Sequence, residues 1–255
     1  MTSPNPLLRS RLYLLLSDPA KATVVAGWIG RLVAALAQFG AIRILTQMLG
    51  VEGYGAYAVI TGLLAWFMLA DFGLGSSLQN HISAARVENR HADAAIWSTS
   101  IFLTLTTAIL AALLALAAPW AGPFLLKNST AISRLDAQLA FFAFGILVSG
   151  TAAAGIVLKI LFAQYRGYWA HLITVLSAII GVASLAIAEH YSVSHRLLWA
   201  IVAFYLPGWL IAACAITIYL ARNRTGTTKV INSDFRILIE FWKSAKWFLL
   251  FAILA

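Results

Sequence analysis

AAIWSTSIFLTLTTAILAALLALA, residues 94–117, runs without a single charged side chain. About 20 mainly apolar residues are enough to cross the hydrocarbon core as a helix. The run is far too long for a barrel strand and lacks the strict apolar/polar alternation of one. It is therefore read as a membrane-spanning helix. Further runs of the same kind lie at 23–47, 54–70, 137–158, 169–188 and 197–220. A seventh begins at Trp247 and reaches Ala255, about 14 Å of helix against a hydrocarbon core of about 30 Å.

The composition agrees. Of 255 residues 62% are hydrophobic and 11% charged, with mean hydropathy +0.87. Soluble domains are about half apolar and a quarter charged, so a water-soluble fold of this size is excluded. With 17 Gly, 6 Pro and 1 Cys, so are disorder, collagen and a disulfide scaffold. Cys214 lies in an apolar run and reads as packing. The expected fold is all-α: a polytopic membrane protein with a six-helix N-terminal lobe and the start of a seventh span, part of a longer two-lobe chain. Its divisions are an interfacial segment at 1–22, the six-span lobe at 23–220, a basic cytoplasmic loop with an interfacial helix at 221–246, and the seventh span from 247.

Net charge is +9. Arg9, Arg11, Lys21, Arg86, Arg90, Lys159, Arg166, Arg222, Arg224, Lys229, Arg236, Lys243 and Lys246 fall on one side of the spans, and only Lys127, Arg134 and Arg196 on the other. The positive-inside rule puts the first side, with the N-terminus, in the cytoplasm. The basic surplus is thus explained by topology and anionic lipid, and nucleic acid is not an expected partner. Trp97, Trp120, Trp169, Trp199 and Trp247 mark span edges, where indoles favour the headgroup layer. Trp28, Trp66 and Trp209 lie deeper, against a cavity or a neighbouring helix. Two short amphipathic stretches, 7–16 and 234–246, read as interfacial helices.

No enzyme motif is present: there is no HExxH, GxSxG or Walker A sequence, and no paired loop carboxylates. Asp71-Phe72-Gly73 spells the kinase magnesium triplet without the rest of that machinery. The five histidines have no metal-ligand spacing, so neither metal nor cofactor is expected, and the chain is read as a non-enzyme.

Charges inside the spans are informative, because each costs about 2.5–3.5 kcal/mol at the bilayer centre on insertion scales. Arg31 lies in the first span, either in a wet cavity or ion pair, or snorkelled to the interface. Arg43 has the same choice toward the outer side. Lys159, closing the fourth span, faces a cavity or anchors at the cytoplasmic interface. Asp71 closes the second span at roughly the depth of Arg31. It can pair with that arginine, cap the helix after the Gly73–Ser76 turn, or bind a coupling ion. Gly145, Gly150 and Gly155 punctuate the fourth span, for close packing or for an unwound, substrate-lining segment. Pro207-Gly208 in the sixth span predicts a bend, as a hinge or as a shape adjustment.

Two stretches carry a family resemblance. RILTQMLGVEGYGAY at 43–57 resembles the first outer turn of Wzx-type polysaccharide flippases, and DFGLGSS at 71–77 resembles their next signature. These proteins belong to the multidrug/oligosaccharidyl-lipid/polysaccharide exporter superfamily. Gly50, Gly53 and Gly55 suit one tight turn, Gly73 and Gly75 another. The resemblance implies two helical lobes around a central cavity and alternating access in the bacterial inner membrane. The implied substrate is an undecaprenyl-diphosphate-linked oligosaccharide bound for the outer leaflet, and membrane lipids and the polysaccharide polymerase machinery are implied partners. Arg31, Arg43 and Lys159 are then candidate diphosphate ligands, since cations lower the barrier to a diphosphate and the guanidinium fork fits phosphate oxygens. A drug or peptidoglycan-precursor exporter of the superfamily and a membrane enzyme of polysaccharide assembly are the alternatives.

Overall fold

The computed structural model describes residues 18–222, apart from 69–70, 128, 130–131 and 192–193. The interfacial helices read at 7–16 and 234–246 and the seventh span lie outside the described residues. Eight helices and no strand occur among the described residues. They are α1 (Pro19–Thr61), α2 (Leu64–Met68), α3 (Leu74–Val87), α4 (Asp93–Leu125), α5 (Arg134–Ala154), α6 (Ile156–Ala163), α7 (Gly167–His190) and α8 (Arg196–Arg222). Asp18 caps α1 by accepting the Ala20 N–H at 3.0 Å, with Pro19 opening the helix, and Ser133 caps α5 through the Asp136 N–H at 3.1 Å. Both follow from the orphan donors of a first turn.

α1 contains a reversal. Gly50 has φ 70° and ψ 179°, a conformation essentially restricted to glycine. Before it, Gly27, Gly30 and Gly40 face His171, Val175 and Val182 in ascending order, so this leg runs beside and parallel to α7. At the turn, Arg196 donates to the Met48 carbonyl at 3.2 Å and Ser129 donates to Glu52 at 3.2 Å. Beyond it, Phe67 meets Phe144 edge-on at 5.7 Å and Asp71 lies beside Lys159, so the second leg descends along α5 and α6. Among the described residues five helical stretches are long and apolar enough to span. The first of them, Ala20–Phe67, holds both legs, which restores the six passes expected from the sequence.

The second pass is longer than the 54–70 read from hydropathy. After a turn at 71–73 the chain continues as α3. Leu74, Leu78 and Ile82 share a core with Ile156 and Ile160 of α6, and Arg86 stacks over Tyr165 at the far end. The apolar run stops early because α3, LGSSLQNHISAARV, buries one face, with Leu74, Leu78, Ile82 and Ala85, while Asn80, Ser83 and Arg86 on the other are exposed. α4 likewise outruns its apolar stretch, passing through Pro119 and Pro123.

The fold turns apolar side chains outward. Ile101, Leu105, Ile109, Leu113 and Leu116 of α4 are between 53% and 67% exposed. Such a stripe is untenable in water and ordinary against lipid. Between helices, small residues permit close approach. A Cβ on Gly150 would fall 2.5 Å from Trp209 Nε1, and one on Gly145 would fall 2.7 Å from a Leu114 methyl. Close packing is thus what these two glycines do, whereas Gly155 ends α5 and marks the α5–α6 break.

Candidate functional site

The break in the second pass is built by three residues. Asp71 Oδ1 accepts the Gly73 N–H at 2.9 Å, closing a side-chain turn. Phe72 and Gly73 then both adopt left-handed backbone, φ 50° and 72°. Positive φ at a phenylalanine stores strain, held here by the packing of Phe72 against the Leu74–Ile160 core. Gly73 is the N-cap of α3 and receives no side-chain cap in the first turn. Asp71 therefore secures the turn that precedes the helix; it does not cap the helix in the usual sense.

Behind the break lies a cavity of about 420 Å³ between the second pass, α5, α6, α7 and α8. Asp71, Thr151, Lys159, Thr174, Ser177 and Gly208 line it. Gly75 leaves room for both side chains, since a Cβ there would lie 3.1 Å from Asp71 Oδ2 and 3.4 Å from Lys159 Cγ. Thr151, Thr174 and Ser177 each donate to their own helix, to Leu147, Ala170 and Ile173 at 2.7, 3.0 and 2.8 Å. Their donors are spent, so the oxygens they show to the cavity act as acceptors. One carboxylate, one ammonium and three acceptor oxygens thus line a cavity whose walls are otherwise mostly apolar. Among the described residues no group of three His, Cys, Asp or Glu could hold a metal ion.

Asp71, Lys159 and Gly208, singled out separately in the sequence, thus meet in one cavity. Arg31 does not join them. Its side chain is exposed on α1, with the guanidinium 5.7 Å from the centre of the Trp28 ring. The Arg31–Asp71 pair weighed from depth alone is not formed, because Asp71 turns toward Gly73 and Lys159 while Arg31 lies on the outer surface of α1. Arg43 is also exposed on α1, two turns before Gly50. α8 stays helical through Pro207, and Gly208 faces Ser177 of α7 at 3.7 Å from where its Cβ would be. Trp209 packs on Gly150, while Trp28 and Trp66 are 69% and 70% exposed. Gly75 was expected only as part of a tight turn, and the three cavity hydroxyls carry no role in the sequence reading. Their only trace there is an isolated hydroxyl within an otherwise apolar helix.

A helical bundle with outward-facing apolar surfaces, and a mostly apolar cavity that holds Asp71 and Lys159, defines the class, a multi-pass helical membrane protein. The same fold occurs in a MOP superfamily transporter from Pyrococcus furiosus, at TM-score 0.70 and 18% identity over 93% of this chain and 54% of that one. An outward-facing multidrug resistance MATE family transporter of the MOP superfamily matches at TM-score 0.70 and 17% identity, with the same coverage. The chain belongs to the polysaccharide biosynthesis protein family, whose sequence profile matches residues 23–250. A Yersinia pseudotuberculosis protein named for O-antigen export is 31% identical over 71% of this chain and 42% of its own length. A Salmonella typhi protein named for O-antigen transport is 30% identical over 71% and 42%. The chain thus spans less than half the length of these relatives.

Proposed function

We propose that this chain forms the N-terminal lobe of a flippase that moves undecaprenyl-diphosphate-linked oligosaccharide from the inner to the outer leaflet of the bacterial inner membrane, for O-antigen or a similar surface polysaccharide. The observation that carries the reading is membership of the polysaccharide biosynthesis family across residues 23–250, and the O-antigen names of the relatives support the substrate class. The N-terminus is cytoplasmic. The reaction is translocation without bond making, and the polymerase machinery would receive the product.

The physical difficulty of this reaction is the diphosphate. Arg31 and Arg43, exposed on the first pass, offer guanidinium forks to it. The cavity lined by Asp71 and Lys159 holds neither of those arginines, which suits coupling: an ion bound at Asp71 would bias the turn that Asp71 secures at Gly73. Complementation tests the function. In a strain lacking the full-length gene, the plasmid-borne gene restores surface polysaccharide on immunoblots, and without it lipid-linked oligosaccharide accumulates on the cytoplasmic leaflet. Restored drug efflux with no surface polysaccharide would reject the reading.

A further inference from the structure

At the opposite end of the bundle from the Gly50 turn lies a second polar basin, of about 600 Å³, that the transport reading does not use. Two helices end beside it in the same way. At the end of α3, Arg90 N–H bonds the Ala85 carbonyl at 2.7 Å and Asn89 N–H the Arg86 carbonyl at 3.2 Å. At the end of α6, Arg166 N–H bonds the Leu161 carbonyl at 2.8 Å and Tyr165 N–H the Phe162 carbonyl at 3.1 Å. Both are Schellman motifs, which ordinarily put glycine at the left-handed position. Here Asn89 and Tyr165 occupy it, at φ 53° and 57°. Each motif then delivers an arginine as its next residue, and Arg90 and Arg166 both line the basin.

A third arginine is oriented by this arrangement. The Arg86 guanidinium lies 4.6 Å from the centre of the Tyr165 ring, so the strained tyrosine is also the platform for a basin arginine. Arg90 is held by Glu88, Nε to Oε2 at 2.6 Å. Gln164 donates to Tyr219 at 2.6 Å below them. The one acidic lining residue, Asp93, sits in the first turn of α4, where the helix N-terminus compensates its charge. Next to the basin, Tyr168 and Trp169 open α7 with exposed rings, the placement of an aromatic belt at headgroup height.

We propose that this basin binds the phosphate group of a membrane lipid. Three guanidinium groups from two separate chain segments, two of them already oriented, match the fork geometry of phosphate oxygens. Basic pockets between spanning helices at the cytoplasmic face are suited to anionic headgroups. The height of the basin favours a phosphate anchored in the bilayer over one free in solution. The inference requires only a lipid headgroup layer at this end of the bundle. It holds whatever the transporter carries.

Native mass spectrometry on the purified full-length protein tests it, with phosphatidylglycerol, farnesyl diphosphate and zwitterionic phosphatidylcholine as probes. Wild type should retain phosphatidylglycerol, farnesyl diphosphate or both in preference to phosphatidylcholine. Arg86→Gln with Arg166→Gln should weaken that retention about tenfold, as expected for lost charge-assisted hydrogen bonds. Tyr165→Gly relieves the backbone strain while removing the arginine platform, so it should fold and still bind more weakly. Lys127→Gln, at the other end of the bundle, should change nothing. Retention of phosphatidylglycerol alone identifies a resident phospholipid, and retention of farnesyl diphosphate alone identifies a diphosphate-linked one. Undiminished binding by the double variant, equal weakening by Lys127→Gln, or equal retention of phosphatidylcholine overturns the proposal.

Discussion

Arg31 and Asp71 separate two jobs that depth alone would have merged. Arg31 is exposed with its guanidinium near the Trp28 ring, and no carboxylate among the described residues pairs with it, so its charge is available to a ligand. Arg31→Ala should abolish or sharply reduce surface polysaccharide in the complementation assay at near-normal protein level. Arg31→Lys should rescue partly, because a point charge lacks the bidentate fork. Full rescue by lysine would make Arg31 an interfacial anchor instead. Asp71 has both a structural bond, to Gly73, and a place in the cavity that Lys159 also lines. Asp71→Asn retains an acceptor for the turn and removes the charge, whereas Asp71→Ala removes both. On the coupling reading, Asn yields normal protein level with reduced transport and altered pH dependence, and Ala also lowers the protein level. Normal transport with normal pH dependence in the Asn variant ends the coupling reading.

Among elements, the turn at Gly50 shows how backbone and space can be told apart. Nothing lies within 4 Å of where a Cβ on Gly50 or Gly55 would be, yet only Gly50 has positive φ. Gly50→Ala should therefore cost about 1–3 kcal/mol and lower the thermal midpoint in detergent. Gly55→Ala, at a helical position, should leave it unchanged or raise it slightly. Equal effects would mean that the reversal is not fixed by Gly50. Gly150 poses the opposite case, a helical backbone with no room. Gly150→Ala should cost about 1–3 kcal/mol by overpacking against Trp209, and adding Trp209→Leu should recover most of it. The long apolar runs were legible in the sequence because lipid demands them. α3 was not, since it buries only one apolar face and leaves the polar one, with Asn80, Ser83 and Arg86, exposed. The cavity was half legible. Its charges stand out in an apolar chain, but the hydroxyls of Thr151, Thr174 and Ser177 are ordinary helix residues until two helices, α5 and α7, bring them together.

The whole bundle has two chemically distinct ends, and its orientation is the proposition on which every statement about leaflets rests. One end gathers the Gly50 turn, the Arg196–Met48 and Ser129–Glu52 bonds and the Asp136–His195 contact at 3.9 Å. The other gathers Arg86, Arg90 and Arg166 around the basin. Lysine and arginine are retained on the cytoplasmic side during insertion, so the basin end should face the cytoplasm. Cys214 is exposed and is the only cysteine of the chain, so Cys214→Ala gives a clean background for labelling. In that background Ser129→Cys should react with a membrane-impermeant maleimide on intact cells. Val87→Cys, 83% exposed at the end of α3, should react only after permeabilisation. The geometry makes the two sites an internal check on each other, because the ascending first leg and descending second pass hold residues 129 and 87 at opposite ends of one bundle. Labelling of both from outside would break the two-ended arrangement itself. Labelling of Val87→Cys alone would invert it, placing the arginine basin and the inner-leaflet half of the proposed transport path on the wrong side of the membrane.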